Sequence, residues 1–467
     1  MSKGPRYRLS EAEKDALLAD QAALIDAQAA RIRELEAALK GSDDGPAGGS
    51  GGAAKKTPRN SHLPPSAGQK AERPAKPRKP RPSRPGTTRR LAETPDRTLR
   101  CHAEACTKCG ADVFEAPQRL RCRYDHVEIP PIVPCVTRVE LFGGRCPCCG
   151  GRYRAPAPEG MAPGTPFGAN IHALLLYLHH SHHVGFERLS RLMAELFGVS
   201  ISEGAISNAF ARVAPSLETT RQAIKETLRA AEIIASDETT TRIDGVTHWQ
   251  WVFVAGDVVL HEVAPRRAKT VAEDVLAGHR PQVWISDRYA GQQDLAGAHQ
   301  VCLAHVLRDV QYAIDCGDGV TAPRIAERLA WAIEVGRRRD RLTDSTLAQY
   351  KARVERQLDA LLGYPAAHPA GRALQAKLKP WRGKLFVFLE DRRVPATNNA
   401  SEQEIRPSVV FRKVTNGFRS DWGAGVHAGY RSLVSTARRQ THTAIETVRA
   451  LITGQPLSGM HAIMPPP

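Results

Sequence analysis

The chain has 467 residues, of which 42% are apolar, 25% charged and 6% aromatic; this is longer than one domain of roughly 100–200 residues, and the balance excludes a wholly disordered, collagen-like or membrane-embedded chain. Lysine and arginine total 66 against 49 aspartates and glutamates, and the resulting net charge of +17 favours a polyanionic partner, nucleic acid first. No run offers the ~18–20 apolar residues of a membrane span, and the polar opening Met1-Ser2-Lys3-Gly4-Pro5 lacks the apolar stretch of a signal peptide, so a cytoplasmic protein with no membrane partner is expected.

Residues 1–40 read as a zipper helix: Leu18, Ile25, Ile32 and Leu39 recur every seven residues, and from Leu9 to Lys40 there is no Pro or Gly. Gln21 and Gln28 on the same seam leave a solvated amphipathic helix as the alternative. Residues 41–100 turn Gly-rich and then alternate Pro with basic residues, as in Lys76-Pro77-Arg78-Lys79-Pro80-Arg81-Pro82, a linker that cannot build a core but can neutralise phosphates. Residues 101–155 carry eight of the ten cysteines and little apolar content. The pairs Cys106-x-x-Cys109 and Cys146-x-x-Cys149 predict two knuckles that together give four thiolates to a structural zinc, with Cys101, Cys122, Cys135 and Cys148 as competing ligands.

Residues 156–230 read as helical. Glu187 to Phe197, a turn at Gly198, and a second helix capped by Ser202 and running through Ala211 suggest a helix-turn-helix, with ordinary helix packing as the alternative. The histidines 179, 180, 182 and 183 have no acid or cysteine near in sequence and are read as surface or inter-helix residues rather than metal ligands.

From residue 231 the period changes to short strands: Ile233 to Ala235, Trp249 to Ala255, Val258 to Val263 and Val283 to Ile285, with a helix over Lys269 to Leu276. Asp237 and Asp287 each follow a strand, which predicts carboxylates at the carboxyl ends of buried strands, where open α/β sheets bind ligands. Two Mg²⁺ ions about 3.5–4 Å apart, with Mn²⁺ as a substitute, would need a third acid. Glu402 supplies it, on one helical face with Asn399 and Arg406, whereas Glu404 turns about 200° away.

Taken together, Ser236-Asp237-Glu238-Thr239, Ser286-Asp287-Arg288-Tyr289, Cys302-Leu303-Ala304-His305, the run Asn398 to Pro407, Arg412-Lys413 and Gly417 to Ala424 resemble the IS66 family of insertion-sequence transposases. Asn60-Ser61 with Pro64-Pro65-Ser66, the paired cysteines and the leading heptads extend the resemblance over nearly the whole chain. Leu303, where an aromatic residue is expected, and Gln403, at a place often held by Arg, depart from the pattern.

The resemblance implies an α/β chain with an RNase H-like catalytic domain, divided between residues 231–320 and 396–467 by a helical insertion at 321–395. It carries the acidic triad of that family onto Asp237, Asp287 and Glu402, and implies Mg²⁺-dependent cleavage and strand transfer at transposon ends. Arg406, Arg412, Lys413 and Arg419 are expected to grip phosphates, and Cys302 and His305 to pack and orient the sheet. A homodimer or larger assembly, a DNA target and small accessory proteins of the mobile element complete the expected partners. An inactive zinc-containing DNA-binding protein and a stand-alone RNase H-type nuclease are the competing readings.

Overall fold

The computed structural model of the chain describes residues 89–455 and 457, so the zipper expected at 1–40 and most of the basic linker lie outside the described residues. The first elements are two short strands, β1 (Gly143–Arg145) and β2 (Arg152–Arg154), paired antiparallel within the cysteine-rich segment. Three helices follow: α1 (Ala169–His182), α2 (Phe186–Phe197) and α3 (Glu203–Leu228). The turn between the last two forms as its sequence requires. Gly198 ends α2 with φ of 64°, and the Ser202 hydroxyl accepts from the Ala205 N–H at 3.2 Å to cap α3.

The second helix does not stop at Ala211 as the helix-turn-helix reading expected; it runs on through Pro215 to Leu228, 26 residues in all. The reason is a buried stripe of Ile206, Phe210, Val213, Leu217, Ile224 and Leu228, interrupted only by Thr220, whose burial outweighs the backbone bond lost at the proline.

The central sheet comprises β3 (Ile233–Ile243), β4 (Val246–Ala255), β5 (Val258–Ala264), β6 (Val283–Ser286) and β7 (Ala298–Val301), with α4 (Lys269–Leu276) between β5 and β6. Its strand order is β5-β4-β3-β6-β7. The first three strands form an antiparallel meander, whereas β6 and β7 run parallel to β3. Asp237 is therefore not at a strand end. It is the fifth of eleven residues in β3, which runs on beside β4 because Asp244 and Gly245, with φ of 47° and 76°, form a tight hairpin turn. Relative to β6 alone, Asp237 does lie just beyond the last paired residues, Ala235 with Ile285.

The remaining helices are α5 (Leu303–Asp315), α6 (Thr321–Arg338), α7 (Asp344–Gly363), α8 (Pro369–Leu378), α9 (Asn399–Thr415), α10 (Asp421–Arg439) and α11 (Ala444–Thr453). One face of the sheet buries Ala235, Val252, Val259 and Ile285 against Val306, Leu329 and Val354 of α5, α6 and α7. The helices of the expected insertion thus share the sheet's own core. The opposite face buries Ile234, Trp251, Phe253 and Trp284 against the end of α3 and against α4. Both faces being covered, the strands read as apolar runs rather than alternating ones.

The outer edge of β5 is closed by hydroxyl groups. Val259 N–H donates to Thr436 Oγ1 at 2.9 Å and His261 N–H to Ser432 Oγ at 2.8 Å, so α10 occupies an edge that would otherwise recruit another strand. Among the described residues no helix is long and apolar enough to cross a membrane.

The loop after α9 is locked to the end of β3: Phe418 N–H donates to Arg242 O at 2.8 Å and Asp244 N–H to Phe418 O at 2.9 Å. Gly417 makes this possible, with φ of 102° and a close approach that would put a Cβ 2.4 Å from Arg242 O. Gly417→Ala is expected to lower stability by about 1–3 kcal/mol, read as a shifted urea midpoint. Gly425→Ala, in α10 with nothing near its Cβ direction, should be neutral or stabilise by up to about 1 kcal/mol.

Candidate active site

Asp237 in β3 and Asp287, one residue beyond the end of the neighbouring parallel strand β6, lie at equal offsets. Ala235 pairs with Ile285, so each aspartate lies two residues past one register pair and on the same face of the sheet. That face is the one against which Ile405 of α9 packs. Asn398, immediately before α9, docks the helix: its Nδ2 donates to Ser236 O at 2.7 Å, its backbone N–H donates to Cys302 Sγ at 3.1 Å, and its Oδ1 accepts from Ser401 at 2.7 Å. Glu402, one turn further, is thereby held near enough to Asp237 to act on its charge. The Asp237 carboxyl is held well above the usual carboxylate range, chiefly by burial, then by the negative fields of Glu238, Asp287 and Glu402. Asp287 and Glu402 thus both lie within electrostatic reach of Asp237, although among the described residues the three acids do not form a group with all ligand atoms within 4.8 Å of one another.

Their immediate hydrogen bonds orient the aspartates. Asp237 Oδ1 accepts from Glu238 N–H at 2.9 Å and Asp287 Oδ1 from Tyr289 N–H at 2.8 Å. Glu402 Oε1 lies 3.5 Å from His305 Nδ1, 3.8 Å from Arg308 Nη2 and 4.0 Å from Cys302 Sγ. Among the described residues, Cys302, His305 and Glu402 are the one group of three metal-capable side chains with ligand atoms within 4.8 Å of each other. Burial raises the Cys302 pKa, the reverse of what a nucleophilic thiolate needs. Its sulfur accepts a hydrogen bond that fixes α9, a packing role as expected.

Glu238 carried no role in the sequence reading, yet it is the fourth acid of this region. Its side chain is 1% exposed, ion-paired to Arg267, and accepts from Gln292 Nε2. Burial and Asp287 push its pKa up to about 7 against the opposing effect of Arg267. Arg267 in turn stacks 3.7 Å over Tyr289 and 4.9 Å from Trp249. The signal for Glu238 was its place beside Asp237 in a strand buried on both faces. Period-two alternation sends it to the other side of the sheet, where Arg267 and Gln292 satisfy its two oxygens.

A cavity of about 260 Å³ opens beside the acids, lined by Arg267, Asp287, Arg288, Tyr289 and His305. Arg288 pairs with Asp309, which also holds Lys377 at 2.5 Å. Of the basic residues proposed to grip phosphates, Arg406, Lys413 and Arg419 are exposed. Arg412 is half-buried and donates through Nη1 to Thr240 O and Oγ1, which ties α9 to β3 instead.

The two cysteine pairs form separate clips. Gly110 N–H donates to Cys106 O at 2.8 Å and Gly150 N–H to Cys146 O at 2.9 Å, closing equivalent turns. In each clip, hydrogen bonds from backbone N–H groups lower the pKa of the first thiol, which suits a thiolate ligand. Among the described residues no three cysteine sulfurs lie within 4.8 Å of one another, so each pair offers half a tetrahedral site. Of the histidines, His180 is buried between helices, with Nδ1 3.2 Å from His427 Nδ1, as the inter-helix reading expected.

Asp237, Asp287 and Glu402 on one side of the sheet suit a divalent cation: a buried carboxylate such as that of Asp237 costs on the order of several kcal/mol to desolvate, and Arg267 and Arg288 engage Glu238 and Asp309 rather than Asp237. A pH dependence follows. Because the folded pKa of Asp237 lies above its unfolded value near 3.8, the native state binds the extra proton, and the penalty grows as pH rises from that value through the folded pKa. Asp237→Asn should therefore melt higher than the wild type at pH 8 without added metal, with the difference vanishing towards pH 4. Mg²⁺ should raise the melting temperature of the wild type more than that of the variant; differential scanning fluorimetry across pH reads both.

A family model described as "Transposase IS66 family" matches residues 164–426, more than half of the chain and a span that holds all three acids. A protein of Sinorhizobium fredii described as uncharacterized protein y4hP is 24% identical over 420 residues, covering 80% of this chain and 74% of its own length. On the extent of the family match and the order of motifs it contains, the chain belongs to the IS66 transposase family.

Proposed function

We propose that the protein is a DNA transposase that cleaves the ends of an insertion sequence and joins them to target DNA, with Asp237, Asp287 and Glu402 as its acidic triad. What supports the reading is that Asp237 in β3 and Asp287 just beyond β6 sit at equal offsets in register, with Glu402 of α9 acting electrostatically on Asp237. A sheet of order β5-β4-β3-β6-β7, three antiparallel strands followed by two parallel ones, supports an RNase H-like core split by the helices α6 to α8.

The triad would hold divalent cations, Mg²⁺ or Mn²⁺, which when bound activate a nucleophile and offset charge on a phosphodiester. The chain's own part is to orient and to shape charge. Backbone N–H groups fix Asp237 and Asp287, and Asn398 sets the height of Glu402 above them. Arg267 and Arg288, on the rim of the cavity, give the anionic strand a counter-charge beside the acids. Arg406, Lys413 and Arg419 extend this surface along and beyond α9, with Arg412 bracing the helix. The thiolate clips Cys106/Cys109 and Cys146/Cys149 are the two halves of the zinc site in this reading. Joining two ends calls for a dimer or larger assembly, with accessory proteins of the element as further partners.

Asp237→Asn is expected to reduce Mg²⁺-dependent cleavage of end DNA to background while leaving its affinity for that DNA close to wild type. A variant that still cleaves would overturn the assignment. Replacing Arg406, Lys413 and Arg419 together by Gln should flatten the slope of log affinity against log salt by roughly 0.9 for each phosphate no longer neutralised. An unchanged slope would exclude them from the interface.

A further inference from the structure

A second, larger pocket of about 770 Å³ lies between the helices α1 to α3 and the segment joining α9 to α10. Its volume falls within the ~300–1,000 Å³ of sites that enclose small ligands. Aromatic rings make its walls: Phe186 and Phe210 on one side, Phe411, Phe418 and Trp422 on the other. Phe210 and Phe411 are buried, whereas Trp422 at the mouth is 44% exposed. The imidazole of His180 also lines the pocket; it is 2% exposed, and its buried Nε2 has no hydrogen-bond partner among the described residues. An unmet polar atom in an apolar wall costs free energy that a ligand's hydrogen-bonding edge would recover. The rim carries Arg188 and Arg419 together with Glu187 and Glu203.

This is the chemistry of a heteroaromatic ring with amino groups, carried on a phosphate chain. Flat faces stack on the phenyl and indole rings, carboxylates accept from exocyclic amines, and guanidinium groups meet the flanking phosphates. Position points the same way. Phe411 is nine residues along α9 from Glu402, about 14 Å at 1.5 Å per residue. With phosphates of one strand ~3.4 Å apart along the duplex, that is about four nucleotides from the acids.

We propose that this pocket receives one unstacked nucleobase of the bound DNA, about four nucleotides from the scissile bond, an inference that rests on the transposase reading. A base held there would pin the register of the strand relative to the acids and bend the duplex away from its regular stack.

The test measures binding by fluorescence anisotropy without divalent cation, so that no cleavage intervenes. One probe is a duplex of about 30 base pairs with a single extrahelical adenine four nucleotides from a blunt end; the other is the same duplex with an abasic bulge. The full-length wild-type protein should bind the adenine bulge about tenfold more tightly than the abasic one, within the range of base stacking on aromatic side chains. Trp422→Ala should bring that ratio to near one, Trp422→Phe should keep most of it, and Ser207→Trp, which fills the pocket from α3, should also abolish it. Equal affinity of the wild type for both duplexes, or an unchanged ratio in the two disruptive variants, overturns the pocket alone. Failure to bind either duplex at low salt overturns the transposase reading with it.

Discussion

Asp237 and Glu238, adjacent in β3, have carboxyl groups whose burial and negative neighbours make them resist ionisation, and the architecture around β3 is organised by that conflict. Asp237 faces Asp287 and Glu402 on one side of the sheet, while Glu238, its chain neighbour, faces Arg267 on the other. A cluster of this kind costs more than any local hydrogen bond returns, so the surrounding core has to supply the difference. The apolar burial on both sheet faces does so: Ile234, Trp251 and Trp284 lie under one surface and Val252, Ile285 and Val301 under the other, all essentially inaccessible. The site is destabilising in the folded state and, in the proposed function, useful for the same reason, since a cation of high charge would relieve the repulsion.

Helix α9 connects the separate parts of the molecule. Its first turn carries Glu402 and is fastened through Asn398 to β3 and to Cys302. Its middle is tied to β3 by Arg412 and to α10 by the Glu404–Arg439 pair at 3.3 Å. Its last turns form one wall of the aromatic pocket, before Gly417 locks the loop onto Arg242. A strand of DNA followed along this helix would meet acids, then arginine and lysine side chains, then aromatic rings, most of them held on helices and strands.

Much of this was legible from residues alone. The helix Lys269–Leu276 and the strands beginning at Ile233, Val258 and Val283 follow from apolar runs bounded by turn residues, and the sequence order alone placed Asp287 just past its strand. What escaped has physical causes. β7 was missed because His299 and Gln300 break its apolar run; both are buried, and Gln300 bonds Leu385 O and the Phe388 N–H, ties to residues far along the chain. The length of β3 was missed because its second half has only one sheet partner and is polar, Thr239-Thr240-Thr241-Arg242. Arg267 and Glu238 gave no sign of each other, being 29 residues apart and joined only by the fold. Arg412 looked like a free cation until its oxygen partners on β3 came into view.

The proposal that Asp237, Asp287 and Glu402 together hold divalent metal is tested by diffraction from crystals soaked in Mn²⁺, with anomalous data collected. Anomalous density is expected between these three side chains, with carboxylate oxygens at the ~2 Å of direct coordination. Manganese bound elsewhere, with the three carboxylates left uncoordinated at saturating concentration, would contradict it.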